Sequence, residues 1–393
     1  MNQQWKNEIR QDLNQLKQMA LKRELREVHQ ASQPWLNLKD RTMLNLASNN
    51  YLGLAGDERL QEASIKAVKA HGSGATASRL IVGNHPLYEE AEEALLTWKG
   101  VPAALIMNSG YTANVGIISA FMGRNDVVFS DRWNHASIVD GIILSRAEHI
   151  RYRHNDLNHL ESLLKKSPHR RKLIVTDSVF SMDGDQADLN GLVTLKERYG
   201  AMLMVDEAHS SGLYGGQGEG LVHSLRLQNR VDLQMGTFSK ALGCFGAYVV
   251  GEEWLIQYLV NKMRSFIYTT ALPPAVLGSI TAAIQVVRLE HSRRVQLFEH
   301  SYYLRKQLEQ LGFCIGEGNT QIIPIITGTN EATMKFSGRL QEEGIAAIAV
   351  RPPTVPENQS RIRLTVMATH QRKDLDWAIE KLARVGRELG VIS

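Results

Sequence analysis

The chain has 393 residues, 43% hydrophobic and 22% charged, the make-up of a globular protein with room for two or three substructures. Its 45 Lys and Arg exceed its 41 Asp and Glu by only four and are scattered, which argues against a nucleic-acid partner while leaving cations for a small anionic molecule. Two cysteines, Cys244 and Cys314, lie far apart in neither a disulfide nor a metal-ligand spacing, so a reducing, cytoplasmic setting and no metal site are expected.

Taken in chain order, Met1 to Glu24 place Trp5, Ile9, Leu13, Leu16 and Ala20 at helical spacing, with Glu8 and Asp12 on the polar side. The spacing predicts an amphipathic helix rather than a signal or transit peptide, and no apolar run of about 18 residues occurs to span a membrane. From about Leu95, short β-rich runs alternate with helical stretches: Ala103 to Met107, Asp126 to Phe129, Lys172 to Thr176, Met202 to Val205, Asp232 to Met235 and Ala247 to Val250. Alternation of this kind implies a mostly parallel sheet flanked by helices. Leu173-Ile174-Val175 and Met202 to Val205 are apolar without alternation, as strands covered on both faces should be. Pro273-Pro274 then opens a helical stretch, Ala275 to Leu311, after which Gln321 to Ile326 and Arg361 to Val366 read as strands of a smaller C-terminal α+β domain, closed by a helix over Leu375 to Leu389. The expected division is an N-terminal helical segment (1–45), a large domain (46–285) and a small one (286–393).

Chemistry-bearing residues cluster where these strands end. Asp206-Glu207-Ala208-His209 follows an apolar strand, and open α/β sheets bind ligands at the carboxyl ends of their strands. The tetrad has three readings: a capped strand end with surface acids, the magnesium box of a nucleic-acid-stimulated ATPase, or part of a cofactor site. The ATPase needs a GxxxxGK[ST] loop, and the chain contains no Gly-Lys pair. The third reading gains from Lys240, 34 residues on, among the small residues of Thr237-Phe238-Ser239-Lys240-Ala241 at the end of the next strand. A lysine amine can form an imine with an aldehyde cofactor and act as a base once released. Ala103 to Met107 followed by Asn108 to Asn114 is a strand, glycine turn and helix start, a place for phosphate at free amides. His135, after the strand ending near Ser130, and Ser181, after Thr176 to Phe180, reach the same edge. Tyr214 to Gly220, rich in glycine, does not directly follow a strand and is expected to be a flexible loop at the active site.

Together with Ser48 to Leu54, Gly72-Ser73-Gly74 and Asn134-His135-Ala136-Ser137, these motifs occur in an order that resembles the α-oxoamine synthases, a branch of the fold-type I pyridoxal-phosphate transferases, over nearly the whole chain. The resemblance implies pyridoxal 5'-phosphate as cofactor, Lys240 as its Schiff-base lysine, Asp206 at the pyridine nitrogen, His135 stacked on the ring and His209 near the ring hydroxyl. It gives Gly110, Tyr111, Ser181 and Thr237 the remaining cofactor and phosphate contacts. The run Arg351-Pro352-Pro353-Thr354-Val355-Pro356 and Ser360-Arg361-Ile362-Arg363-Leu364 is similar to that of family members joining L-alanine to a pimeloyl thioester of coenzyme A or acyl carrier protein. The alternative within the family is glycine with acetyl-CoA. By the same resemblance Arg363 and Asn49 bind the amino-acid carboxylate, Thr354 touches substrate, Arg23 contacts the acyl group, and the protein is a homodimer.

Overall fold

The structure is a computed structural model describing residues 2–38 and 41–393. The chain divides into two units: a larger one of Leu52–Ser181 and Asp185–Arg294, and a smaller one of Met1–Tyr51, Met182–Gly184 and Val295–Ser393.

The larger unit is built on seven strands among the described residues: β1 (Ala103–Met107), β2 (Val127–Asp131), β3 (Glu148–Tyr152), β4 (Lys172–Asp177), β5 (Met202–Asp206), β6 (Leu233–Thr237) and β7 (Ala247–Gly251). Their order is β1-β7-β6-β5-β4-β2-β3, and β7 runs antiparallel to both its neighbours while the others share one direction. Alternate residues of one strand enter different cores. Leu173, Val175 and Met204 pack with Ala113, Ile117 and Ile118 of helix α1 (Gly110–Phe121) and with Ile138 and Ile142 of helix α2 (Ala136–Ser145). Ile174, Leu203 and Val205 pack on the other face with Leu160, Leu189 and Leu192. Burial of both faces is why these strands read as unbroken apolar runs.

Sequence patterning gives no sign of β3. Its residues, Glu148-His149-Ile150-Arg151-Tyr152, hold an edge position beside β2, where only one neighbour constrains them and charged side chains are tolerated. The single helix expected from Ala275 to Leu311 is two, Pro274–Leu289 and His291–Gln310, because Glu290 leaves the helical conformation between them (ψ 68°). The first packs on helix Glu58–His71 through a glycine: a Cβ at Gly278 would lie 2.7 Å from the Ala63 carbonyl oxygen.

In the smaller unit, strands β8 (Ile322–Gly328) and β9 (Ser360–Thr365) pair antiparallel, with Ala349–Val350 beyond β9. Strand Arg41–Asn45 pairs with Trp35–Leu38 and, in parallel, with Ile345–Ala346. That long-range pairing groups the N-terminal segment with the C-terminal residues, where local patterning suggested a separate segment ending at residue 45. The other expected boundary, at residue 285, falls inside helix Pro274–Leu289, and the division comes instead at Arg294. Met182–Gly184 joins the smaller unit through the Asp183–Arg361 ion pair and a hydrogen bond from Thr320 Oγ1 to the Gly184 carbonyl (2.7 Å). The amphipathic helix of the N-terminal region spans Gln3–Gln18, with Trp5, Ile9, Leu13 and Leu16 all exposed; Met1 lies outside the described residues. No helix of the described residues is long and apolar enough to cross a membrane.

Candidate active site

Every sequence-derived candidate of the larger unit lies at the carboxyl edge of β1, β2, β4, β5 and β6. Asp206 ends β5, buried, with both carboxylate oxygens engaged: Oδ2 accepts from Asn114 Nδ2 on α1 and Oδ1 from the Ala208 amide, each at 2.8 Å. Beside it in register stands Asp177, the last residue of β4. Burial pushes the Asp177 carboxyl well above the usual carboxylate range, and the Asp206 charge pushes it further.

His135 caps the N-terminus of α2. Its amide donates to Asp177 Oδ2 (2.8 Å), and its Nδ1 lies 2.7 Å from Ser137 Oγ. The residue stays accessible, yet partial burial of its ring lowers its pKa; the Lys240 ammonium adds to this against the opposing Asp206 carboxylate. A neutral imidazole facing solvent suits stacking on a flat ring. Lys240, half-buried, sits just past β6 in a turn closed by Gly243 N donating to the Lys240 carbonyl (3.0 Å). Gly243 has φ +66° and no room for a side chain, since a Cβ there would fall 2.3 Å from the Ala55 nitrogen. The lysine is therefore presented by a backbone that cannot easily shift.

His209 is buried in the turn after β5, and Ser181 is half-buried past β4. Gly110 and Tyr111 open α1 behind its cap, Ser109. The Tyr111 ring is half-exposed and its hydroxyl bonds Asp140. A Cβ on Gly110 would lie 2.6 Å from Thr237 Cγ2, and Thr237 Oγ1 is buried without a hydrogen-bond partner. A hydroxyl left unpaired beside the first amides of a helix, with no side chain between, fits a phosphate group. With Lys240, Asp206 and an accessible His135 on the same edge, the residues fit pyridoxal phosphate.

The smaller unit holds a second cluster. Arg363 on β9 donates from Nη2 to Asn49 Oδ1 (3.0 Å) and to the hydroxyl of buried Tyr51 (3.1 Å), which itself donates to Asn49 Oδ1 (3.1 Å). Arg363 and Asn49 were legible in the sequence; Tyr51 was overlooked although it lies in the same Ser48 to Leu54 motif. Thr354 is exposed, its amide bonded to the Arg351 carbonyl (3.1 Å). Arg23 Nη2 reaches the Pro352 carbonyl at 3.5 Å, while its neighbours have other partners: Lys22 pairs with Glu24 and Arg26 donates to Gln341.

One reading of the tetrad falls, and one expectation changes. Glu207 is no surface acid: fully buried, it receives Lys99 Nζ on Oε2 (2.6 Å) and the Val222 amide on Oε1 (2.9 Å). Held in this way it cannot reach a nucleotide-bound cation. The Tyr214 to Gly220 loop is braced rather than loose: Gly212 N bonds Gly218 O (2.8 Å), Trp98 Nε1 bonds Gln217 O (2.9 Å), Arg294 Nη2 bonds Gly216 O (2.7 Å), and a Cβ on Gly220 would overlap the Glu207 carboxylate. Among the described residues no group of three or more His, Cys, Asp or Glu could hold a metal ion.

Comparison with known proteins agrees with this geometry. The family model for class I and II aminotransferases matches residues 41–382. The chain is 57% identical over 394 residues, all of both chains, to a protein of Bacillus mycoides named "putative 8-amino-7-oxononanoate synthase", and 58% identical to a Bacillus cereus protein of the same name, 99% of each being covered. Among solved structures, serine palmitoyltransferase of S. paucimobilis with a bound PLP-myriocin aldimine superposes with a TM-score of 0.94 at 29% identity over all of both chains. 8-Amino-7-oxononanoate synthase of Francisella tularensis superposes at 0.78 and 25% identity, over 88% of this chain and 98% of that one.

Proposed function

Because the chain belongs to the class I and II aminotransferase family, and within it to the pyridoxal-phosphate-dependent, acyl-transferring α-oxoamine synthases, we propose that it is an 8-amino-7-oxononanoate synthase. In this reading it condenses L-alanine with a pimeloyl thioester of coenzyme A or acyl carrier protein, as a cytoplasmic homodimer serving biotin synthesis. One observation carries the choice of substrates: identity of 57% across the full length to relatives bearing that name.

When bound, pyridoxal phosphate supplies an aldehyde for amines and a ring that takes up electrons released at the amino acid's α-carbon. Lys240 would anchor it, and its Nζ would take the α-proton and return one later. Asp206, fixed by Asn114 and the Ala208 amide, would hold the proton on the pyridine nitrogen. His135 would cover one ring face and His209 meet the ring hydroxyl, while Thr237 Oγ1, Ser181 and the first amides of α1 at Gly110 and Tyr111 would hold the phosphate. Arg363, with Asn49, would bind the amino-acid carboxylate in the charge-assisted manner suited to a guanidinium. Thr354 and Arg23 would contact the substrates, Arg23 on the acyl side. In the net reaction the bond from Cα to the carboxylate is exchanged for one to the acyl carbon, and carbon dioxide and thiol leave.

The superposition on serine palmitoyltransferase supports a second substrate pair, serine with a long acyl thioester, and glycine with acetyl-CoA, the reaction of glycine C-acetyltransferase, is the third. Thiol release from each pairing of alanine, glycine or serine with pimeloyl, acetyl or palmitoyl thioester tests all three. Alanine with the pimeloyl thioester should be fastest; preference for either other pair overturns the assignment.

A further inference from the structure

We propose that His154 is a positioning residue: as an imidazolium donating from both nitrogens, it ties the loop that presents His135 to the loop that presents Ser181, and so sets how firmly the cofactor is held. The link to the cofactor rests on the reading above, in which those two residues touch it.

His154 follows β3, and each of its ring nitrogens meets a carboxylate on a different element. Nδ1 lies 3.0 Å from Asp131 Oδ1 at the end of β2, and Nε2 lies 2.7 Å from Asp185 Oδ2 in the loop after β4. A neutral imidazole has one N–H and could satisfy only one of them; two acceptors need the protonated ring. The ring also stacks on Trp133 (centroids 3.8 Å apart, planes 23°) and meets the edge of Phe180 (4.4 Å, 85°). Trp133 is two residues before His135 and Phe180 one before Ser181, so the imidazolium is packed between the approaches to both.

The two carboxylates are themselves tied down. Asp131 accepts the Trp133 amide on Oδ1 and the Asn155 amide on Oδ2, each at 2.9 Å, and Asp185 Oδ2 accepts Asn155 Nδ2 (3.0 Å). On the ring's own segment, Arg153 is neutralised by Asp156 (2.7 Å) and its amide bonds His159 Nδ1 (2.9 Å). The Asp131 charge also acts on the phenol of Tyr152 and the carboxyl of Asp177, both raised mainly by burial, and exposed Arg132 is its neighbour in sequence. Although burial alone would lower the pKa of His154, the hydrogen bonds and charges of Asp131 and Asp185 raise it to about 9.

Against an ordinary value of 6.5, the folded state therefore favours the charged ring roughly 300-fold. The shift is upward, so the contribution is full below pH 6.5 and is lost as pH rises through about 9. The experiment follows release of pyridoxal phosphate from the holoenzyme by visible absorbance between pH 7 and 10, in wild type, His154→Gln, Asp185→Asn and Lys240→Ala, with thermal unfolding of the cofactor-free proteins alongside. His154→Gln should release cofactor about tenfold faster than wild type at pH 7 and close to wild type at pH 10. Asp185→Asn, with one carboxylate left, should shift the rise in release to lower pH. The melting-temperature gap between wild type and His154→Gln should close between pH 7 and 10. A His154→Gln release rate equal to wild type at pH 7, or an Asp185→Asn curve superposing on wild type, overturns the link. If instead Lys240→Ala keeps the visible band of a lysine-bound cofactor, the cofactor reading fails, and the melting-temperature gap alone then decides whether His154 joins the two loops.

Discussion

Replacing Lys99 by Met tests whether Glu207 is structural. The Lys99 ammonium and Glu207 carboxylate meet at 2.6 Å with both side chains fully buried. The ammonium also donates to the Glu219 carbonyl, and the carboxylate accepts from the Val222 amide (2.9 Å) and Ser210 Oγ (3.2 Å). Removing the cation leaves a buried carboxylate with two neutral donors, which destabilises by about 3–5 kcal/mol. With a urea m-value near 3 kcal/mol/M, the midpoint of the larger unit should fall by roughly 1–1.7 M. Lys99→Met combined with Glu207→Gln should recover part of this, because Gln can still accept from Val222 and Ser210 while its charge is gone, giving a coupling of roughly 1–3 kcal/mol in a double-mutant cycle. A Lys99→Met midpoint within about 0.2 M of wild type, or strictly additive single effects, would refute the claim that this acid is held by its buried partner.

Thr237→Val removes a buried hydroxyl that has no partner, so the cofactor-free protein should gain roughly 1 kcal/mol in urea unfolding while affinity for pyridoxal phosphate, titrated by absorbance, drops about tenfold. Gly110→Ala should weaken that affinity as well, since its Cβ would press to 2.6 Å from Thr237, and the Ala variant's dissociation constant measures it. Arg363→Gln should raise KM for alanine by roughly 10- to 100-fold, from about 1.5–3 kcal/mol lost with a charged hydrogen bond, and leave the cofactor spectrum unchanged. His370 is buried and its pKa is lowered to about 4, mainly by burial. With the folded value below the unfolded 6.5, its contribution is present above pH 6.5 and is lost as pH falls towards 4. Urea midpoints should therefore decline from pH 7 to 5 more steeply in wild type than in His370→Gln, by up to about 2 kcal/mol.

The fold was legible wherever burial imposes a pattern on consecutive residues. Strand Ala103–Met107 matches its expected bounds, and the other apolar runs differ only at their ends, because a strand buried on both faces must be apolar at every position. β3 was not legible because an edge strand with exposed Glu148 and Arg151 carries no such constraint. The unit boundaries were hidden for a different reason: they depend on Leu44 pairing with Ile345, some three hundred residues away, and on a three-residue segment held by Arg361 and Thr320. No local window of sequence contains either relation.

The candidate site divides along the same line. Lys240, Asp206, His135 and Ser181 could be placed together because each follows a recognisable strand, and parallel strands deliver their carboxyl ends to one edge. Their supports depend on which residues become neighbours across the sheet or from a helix. Asp177 lies beside Asp206 only because β4 and β5 pair in that register, Asn114 reaches Asp206 from the second turn of α1, and His154 finds its two carboxylates across three elements. Asp206 and Glu207 make the point most sharply. Adjacent residues at a strand end point to opposite faces, so one acid meets Asn114 on the side of α1 and the other turns to Lys99. The tetrad Asp-Glu-Ala-His thus read as one motif in sequence but is two devices in space, and only the burial of Lys99, a lysine with nothing unusual in its neighbours, decides which acid is left for chemistry.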